Sequence, residues 1–187
     1  MPSAIVWILI LVPLALAGSM IWIYNLFVRD KNRVAEAWSG IDVQLKRRAN
    51  LVPNLVNVVT GYADYEKNLL NEVTELRSRL AQESKSGERQ DNENALTDGL
   101  GRLLAVVENY PDLKADTTFL QLQKQLVEIE DYIQMARRYY NGTVRNINTR
   151  VESFPSNLIA AIFGFHQKHF FEIERATERK APQVKTT

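Results

Sequence analysis

Residues 34–59 read VAEAWSGIDVQLKRRANLVPNLVNVV, and this stretch decides the fold. Its apolar positions follow one another at intervals of four and three, and one position of that series is occupied by a charged residue, Arg48. Such spacing places a single apolar stripe along a helix, as helical bundles and coiled coils require. The same spacing returns between Phe119 and Tyr140, whereas sustained period-two alternation is absent after Arg29. The sequence therefore predicts an all-α fold.

Helix-breaking residues divide the domain into four predicted helices. Gly61, followed closely by Asp64, is expected to end one helix and start the next. The apolar-free run 83–92 is expected to be an exposed connection, and Pro111 marks a turn. The predicted helices are 30–60, 64–84, 93–109 and 115–154, arranged as an elongated antiparallel bundle. An alternative keeps 30–83 as one continuous rod, because the apolar spacing continues across Gly61.

The amino-terminal segment is predicted to be a transmembrane anchor. The first 28 residues contain no charged side chain, and a helix over residues 4–28 would be about 37 Å long, enough to cross a hydrocarbon core of about 30 Å. A cleaved signal peptide is the alternative, since Ala15-Leu16-Ala17 resembles a processing site, but no Lys or Arg precedes the apolar run. The anchor residues singled out are aromatic side chains for the two interfaces, a proline that membrane helices tolerate and a glycine that permits close packing: Trp7, Trp22, Tyr24, Pro13 and Gly18.

The charges that flank the anchor predict its orientation. Arg29, Lys31 and Arg33 follow the apolar run directly, whereas only the α-amino group precedes it. The positive-inside rule then places the amino terminus outside and the domain in the cytoplasm. We therefore expect a single-pass protein of the cell membrane.

Composition narrows the possible function classes. The chain of 187 residues carries 23 Lys+Arg against 22 Asp+Glu, a balance that disfavours nucleic-acid binding by counterion release. It has no Cys and two His, which excludes thiol chemistry and leaves few metal ligands. His166, His169 and Glu172 would share one side of a helix, but the Glu-x-x-His pairs of bundle metal sites are absent. We predict no catalytic residue, metal, cofactor, nucleic-acid partner or small-molecule substrate.

Three consecutive cations, Lys46, Arg47 and Arg48, form the densest positive cluster. One interpretation is a surface patch that binds anionic lipid headgroups or an acidic partner. The other is a solvated face in which Arg48, because of its place in the apolar series, is buried and paired. An unpaired buried guanidinium is strongly destabilising, so this second interpretation predicts that Glu108 or Glu130 contacts it.

A set of polar residues lies at the end of the third predicted helix and in the middle of the fourth. These side chains either line a binding cleft or satisfy one another and fix the register of the bundle; the second, structural interpretation is preferred. The residues are Glu108, Tyr110, Arg137, Arg138, Tyr140 and Asn141.

The Phe-rich segment after the last predicted helix is apolar and too short to span a bilayer. Antiparallel helices lead the chain back to its starting level, so this segment is expected near the membrane. It either lies in the interface of the inner leaflet or covers the open end of the bundle. The residues with predicted membrane contact are Leu158, Ile162, Phe163, Phe165, Phe170 and Phe171.

Several motifs follow one another along the chain. AWS at 37–39, IDVQLKRR at 41–48 and NLVPNLV at 50–56 precede GYA at 61–63, VENYPDLKA at 107–115, ARRYYN at 136–141 and FPSN at 154–157. Together, over about residues 24–171, they resemble the LemA family. The resemblance implies a bacterial membrane protein with an outside-to-inside anchor, a four-helix cytoplasmic domain and no known catalytic activity. Tyr65 stands where a histidine is frequent in that family, which disfavours a role for an ionisable ring there.

The predicted organisation is an anchor over 1–28, a cytoplasmic bundle over 29–154, a Phe-rich segment over 155–174 and a polar tail over 175–187. The predicted function is that of a non-enzymatic scaffold or adaptor in envelope or membrane organisation. The expected partners are the lipid bilayer, other membrane or envelope proteins and further copies of the chain. The alternative is direct membrane remodelling, or coat assembly, through the Phe-rich segment.

Overall fold

The computed structural model describes residues 2–62, 66–82 and 86–171. These residues form helices and contain no strand, which confirms the predicted all-α fold. The helices are α1 (Pro2–Thr60), α2 (Lys67–Gln82), α3 (Ser86–Val107), α4 (Pro111–Lys114), α5 (Thr117–Glu152) and α6 (Ser156–Phe163).

The first helix extends further than predicted. The anchor and the predicted helix 30–60 form one uninterrupted helix, which passes through both Pro13 and Pro53. Between residues 26 and 38 the sequence has no glycine or proline, and it is rich in good helix formers, so nothing ends the helix where the apolar run ends. The predicted end near residue 60 agrees with the structure.

The prediction of a connection over 83–92 is wrong for its second part, because α3 already begins at Ser86. Glu, Arg and Gln in this run are good helix formers, and a helix can form without apolar residues, although it then has no apolar face for packing.

The alternative prediction of one continuous rod over 30–83 is also wrong. Helix α1 ends at Thr60, and the Arg77 Nε of α2 donates to the Ala49 carbonyl oxygen of α1 at 3.3 Å, so α2 folds back along α1. Asp64 lies outside the described residues.

The chain divides into two compact units. The first unit contains Met1–Leu45 and Asp131–Phe171. In it α1 and α5 run antiparallel: the Arg150 Nε donates to the Asp30 Oδ2 at 2.7 Å, and the rings of Trp38 and Tyr140 lie 5.5 Å apart. Asp30 is buried, so this ion pair holds the two helices at a fixed register.

The second unit contains Lys46–Glu130 and thus the end of α1, helices α2 to α4 and the start of α5. Its core consists of the predicted apolar stripes together with residues of α3; the fully buried members include Leu55, Val59, Leu96, Leu103 and Leu113. Gly99 lets α2 and α3 approach closely, because a Cβ at this position would lie only 3.2 Å from the Val73 Cγ2. The stripe of α1 stops at Val59, and Tyr62, the next position of the series, is exposed.

Arg48 lies in the second unit and has no exposed surface. Its guanidinium donates to the Glu130 Oε1 at 2.8 Å and the Thr97 Oγ1 at 2.7 Å, and it forms an ion pair with the buried carboxylate of Glu93. The prediction that Glu130 contacts Arg48 is therefore confirmed. The alternative prediction, that Glu108 contacts Arg48, is wrong, because the Glu108 carboxylate pairs with Lys114 across the turn at Pro111.

Glu93 was not predicted as a partner, although the sequence contains the signal. Glu93, Leu96, Leu100 and Leu103 follow the same three–four spacing that marks Arg48 as an inward position, and all four are buried. Two opposite charges, each in the apolar series of its helix, thus meet inside the unit.

Replacing Arg48 by Met should destabilise the protein by about 3–5 kcal/mol, because the buried carboxylate of Glu93 would lose its compensating charge. The double variant Arg48→Met/Glu93→Met should recover most of that loss, since apolar side chains often replace a buried ion pair without cost. Urea unfolding of the full chain in detergent, followed by circular dichroism, measures both effects, and Lys46→Met on the exposed surface is the control. A single variant as stable as the control would contradict the structural role of Arg48.

Asp116 forms the amino-terminal cap of α5. Its Oδ1 accepts a hydrogen bond from the Phe119 backbone N–H at 2.9 Å, and its Oδ2 accepts one from the Tyr62 hydroxyl at 3.2 Å. The hydrogen bond from Phe119 is the main cause that lowers the pKa of Asp116. The ionised carboxylate in turn raises the pKa of Tyr62, through its hydrogen bond first and its charge second.

Asp116→Ala should lower the thermal unfolding midpoint at pH 7, because it removes the cap. The folded-state pKa of Asp116 is lowered, so its stabilisation is present above the unfolded-state pKa of about 3.9 and is lost as the pH falls through the lower folded-state value. The difference between the variant and the original chain should therefore shrink below about pH 4. Asp116→Asn keeps a capping oxygen without the charge, so its difference from the original chain should be smaller at pH 7. It should shrink by the same amount as for Asp116→Ala, because Asp116 titrates only in the original chain. Thermal scans between pH 7 and pH 2 test this; a constant difference for Asp116→Ala would count against the cap.

Candidate functional site

The exposed apolar surface of the first unit begins with the amino-terminal part of α1. The large apolar side chains from Ile5 to Trp22 are between 40% and 68% exposed. Within the described residues, α1 is the helix long and apolar enough to cross a membrane. Trp7 and Trp22, predicted for the two interfaces, are both exposed, Pro13 lies within the helix, and a Cβ at Gly18 would meet no neighbour within 4 Å.

Burial begins abruptly after Trp22. Ile23 and Phe27 of α1 are buried against Val144 and Ile147 of α5 and against Ile159 of α6. One face of α1 is thus covered by protein from Ile23 onwards, whereas the preceding segment is uncovered on all sides. This change marks the place where α1 leaves the predicted membrane-spanning segment.

Helix α6 is a short helix with one buried and one exposed apolar face. Ser156, Ile159 and Ala160 are buried, while Leu158 and Ile162 are 55% and 65% exposed. No charged side chain occurs between residues 153 and 165. The helix ends at Gly164, whose φ of 70° lies in the left-handed region that favours glycine, and the Phe165 N–H donates to the Ala160 carbonyl oxygen at 2.9 Å.

Aromatic contacts fix the end of α6 next to the exposed segment of α1. The ring centroids of Tyr24 and Phe163 lie 4.8 Å apart, and Phe165 stacks on Phe27 at 4.6 Å with an interplanar angle of 11°. The exposed face of α6 therefore continues from the exposed apolar surface of α1. In water, such a continuous apolar surface is typical of a site that contacts a membrane or another protein.

The residues predicted for membrane contact fall into two groups. Leu158, Ile162, Phe163 and Phe170 are exposed, whereas Phe165 is half-buried and Phe171 is buried. Both interpretations of the Phe-rich segment therefore describe part of it, since one face covers the ends of α1 and α5 and the other faces outward. Contact with lipid remains a prediction.

The chain after α6 continues as an extended segment along α5, and we call residues 165–171 the strap. The Asn148 side-chain amide donates to the Lys168 carbonyl oxygen at 2.9 Å, and its oxygen accepts from the Lys168 N–H at 2.8 Å. Asn141 pairs in the same way with Phe171, at 3.0 and 2.8 Å. Each asparagine thus satisfies both backbone groups of one strap residue.

The last strap residue fills a pocket between α1 and α5. The Phe171 ring lies 6.1 Å from the Trp38 ring, and the Arg137 guanidinium lies over its face at 4.7 Å from the centroid. The Tyr140 hydroxyl donates to the His169 carbonyl oxygen at 3.1 Å, and burial raises the pKa of Tyr140. This aromatic pocket and the asparagine pairs were not predicted.

The predicted polar residues belong to different units. Arg137, Tyr140 and Asn141 meet at the strap in the first unit, where Arg138 is exposed. Glu108 and Tyr110 belong to the second unit. The backbone N–H of Tyr110 donates to the Val107 carbonyl oxygen at 2.9 Å, at the turn before Pro111.

The remaining candidate residues are placed as follows. Lys46 and Arg47 are exposed, but Arg48 is buried and ion-paired, so it does not belong to a surface patch. His166 and His169 are exposed in the extended strap and not on a helix, so they do not share one side of a helix. Glu172 and Tyr65 lie outside the described residues, within which no group of three or more His, Cys, Asp or Glu is placed to hold a metal ion.

Comparison with known proteins identifies the family. The family model described as "LemA family" matches residues 37–185. The chain is 29% identical to Protein LemA of Metamycoplasma hominis, over 81% of this chain and 71% of that protein. It is 28% identical to Magnetosome protein MamQ 2 of Paramagnetospirillum magneticum, over 90% and 72%, and 25% identical to Magnetosome protein MamQ of Magnetospirillum gryphiswaldense, over 86% and 70%. The family match, together with the exposed apolar helix, shows that this chain belongs to the LemA family and is a membrane-associated member of it.

Proposed function

We propose that this protein is a non-enzymatic scaffold or adaptor that attaches to the bilayer at two adjacent places. The amino-terminal part of α1 crosses the cell membrane once, with the amino terminus outside and the two helical units in the cytoplasm. The exposed face of α6 lies in the interface of the inner leaflet. The observation that carries this proposal is the uncharged, exposed apolar face of α6 next to the end of the exposed segment of α1.

The length of the exposed segment supports this placement. Ile5 to Trp22 comprise 18 residues, which in a helix span about 27 Å and nearly match a hydrocarbon core of about 30 Å. Trp22 and Tyr24 then lie at the level where aromatic side chains are enriched at membrane interfaces. Because Tyr24 contacts Phe163, the carboxyl end of α6 lies at the same level.

The energetics of α6 also favour a lipid partner. Leu158, Ile162 and Phe163 expose large parts of their side chains, and transferring a fully exposed side chain of this kind out of water contributes about 1.5–3 kcal/mol. An eight-residue helix would not form by itself, but the buried face of α6 already fixes it to the unit. Membrane contact therefore requires no further ordering of the helix.

Two rigid attachments would hold the first unit at a fixed tilt above the bilayer, as a scaffold requires. A single transmembrane helix can tilt in the bilayer together with the unit that it carries, whereas a second contact beside it restricts that tilt. Relatives named magnetosome protein support a role for this chain in a cellular structure.

The second candidate function, membrane remodelling, rests on the same helix. A helix inserted into one leaflet adds area to that leaflet alone and favours curvature. Liposomes that contain the full chain should then become tubular, and Leu158→Gln/Ile162→Gln, which alters only exposed positions, should prevent this. Spherical liposomes with either chain would favour the scaffold over remodelling.

A fluorophore on α6 should report the bilayer. The chain has no Cys, so Ile162→Cys can be labelled selectively with an environment-sensitive dye in the full chain reconstituted in liposomes. We expect blue-shifted emission that spin-labelled lipids quench, because the side chain would lie below the headgroups. Val127→Cys is the matched control, since its position is 53% exposed on α5 in the second unit, and it should report water. Equal emission and quenching at the two positions would exclude interfacial insertion of α6.

Cysteine labelling also tests the orientation. Ser3→Cys should react with a membrane-impermeant maleimide on intact cells, whereas Glu128→Cys, exposed on α5, should react only after the cells are lysed. The opposite pattern would reverse the proposed topology.

A further inference from the structure

The strap has features that attachment to the membrane does not require. Asn141 and Asn148 bind only backbone atoms of the strap, and each occupies both the N–H and the C=O of one residue. Such contacts are independent of the side chains of the bound segment, as in proteins that bind extended peptides. Specificity comes from the pocket for Phe171, three residues after the first paired residue.

Although the strap forms several hydrogen bonds with α5, most of its residues are exposed. Phe171 is buried and Phe165 half-buried, but the five residues between them are exposed. Release of the strap would therefore uncover chiefly two aromatic rings and their pockets. Gly164, in its left-handed conformation, joins the strap to α6 and is the natural hinge for such a movement.

We propose that the groove between α1 and α5 that holds the strap also accepts the strap of a second copy of the chain, so that neighbouring copies in the membrane exchange straps. The groove is then a self-association site. This proposal does not depend on the scaffold role or on lipid contact by α6, and the experiments for those roles can fail without affecting it.

A second copy is the occupant that the observations favour. Its strap has the same sequence, so it forms the same asparagine pairs and fills the same pocket, and exchange replaces each lost contact with an identical one. Membrane association also confines every copy to one plane with the groove at one height. This raises the effective concentration of a neighbour's strap above its value in solution, so that it can compete with the strap tethered in the same chain.

Crosslinking between two distinguishable copies tests the exchange. The Gln167 Nε2 on the strap lies 2.5 Å from the Glu152 Oε1 on α5, so cysteines at these positions report strap docking. Two full chains with different tags, one Glu152→Cys and the other Gln167→Cys, are produced in the same membrane and treated with a short bis-maleimide. We expect a crosslinked heterodimer. A single chain with both substitutions should crosslink internally, which establishes that the reagent spans the contact.

The asparagines distinguish exchange from mere proximity. Asn141→Ala/Asn148→Ala in the Glu152→Cys copy removes four hydrogen bonds from the accepting groove and should reduce the heterodimer at least about tenfold. The same substitutions in the Gln167→Cys copy release its own strap and should leave the heterodimer unchanged or increase it. Because both experiments use the same variant, this comparison also controls for its folding, and Asn148→Ala alone serves if the double variant does not accumulate.

A matched position controls for random encounters. Asp131 is exposed on α5, 21 residues and about 31 Å along the helix from Glu152. Asp131→Cys combined with Glu152→Cys should give little heterodimer. The proposal is overturned if the heterodimer with Gln167→Cys does not exceed this background, or if the asparagine substitutions act equally in either copy.

Discussion

The burial of Phe27 is the constraint on which the first unit depends. Upstream of Ile23 the helix α1 exposes apolar side chains in every direction, and from Phe27 onwards one face must be covered by protein. Helix α5 alone covers part of that face, and α6 with Phe165 covers the rest. The chain returns to the end of the exposed segment, where α6 and Phe165 bury this apolar surface.

Electrostatics fixes the register of this return. Asp30 is buried and Arg150 is partly buried, and their ion pair lies three residues beyond Phe27 on α1 and two before the end of α5. A shift of α5 by one helical turn would leave a buried carboxylate without its partner, which is much more costly than the loss of an apolar contact. Arg48 with Glu93 and Glu130 has the equivalent role in the second unit.

The features that depend on periodicity could be predicted from the sequence, whereas those that depend on pairing between distant segments could not. The three–four spacing predicts the helices, and the place of Arg48 in that spacing favours a buried cation with Glu130 as one of two candidate partners. The spacing does not show that Asn141 and Asn148 bind the backbone of residues about twenty to thirty positions later, because backbone groups have no signature in a sequence. Likewise, the composition of 83–92 predicts exposure but does not show whether these residues form a helix, since the same side chains suit both states.

Gly164 separates α6, for which we propose membrane contact, from the strap, for which we propose exchange between copies. Its left-handed conformation ends α6, so Ile159 and Ala160 can stay buried while the strap moves. The Phe165 ring that stacks on Phe27 leaves with the strap, and the Phe165 ring of the incoming strap would take its place. A strap of seven residues reaches at most about 24 Å when fully extended, and helices in direct contact lie about 8–10 Å apart. Exchange is therefore possible only between immediate neighbours whose first units pack side by side. Because every copy can donate its strap to one neighbour and accept one from another, such contacts either close as a pair or continue from copy to copy, and the angle between adjacent first units decides which of the two forms.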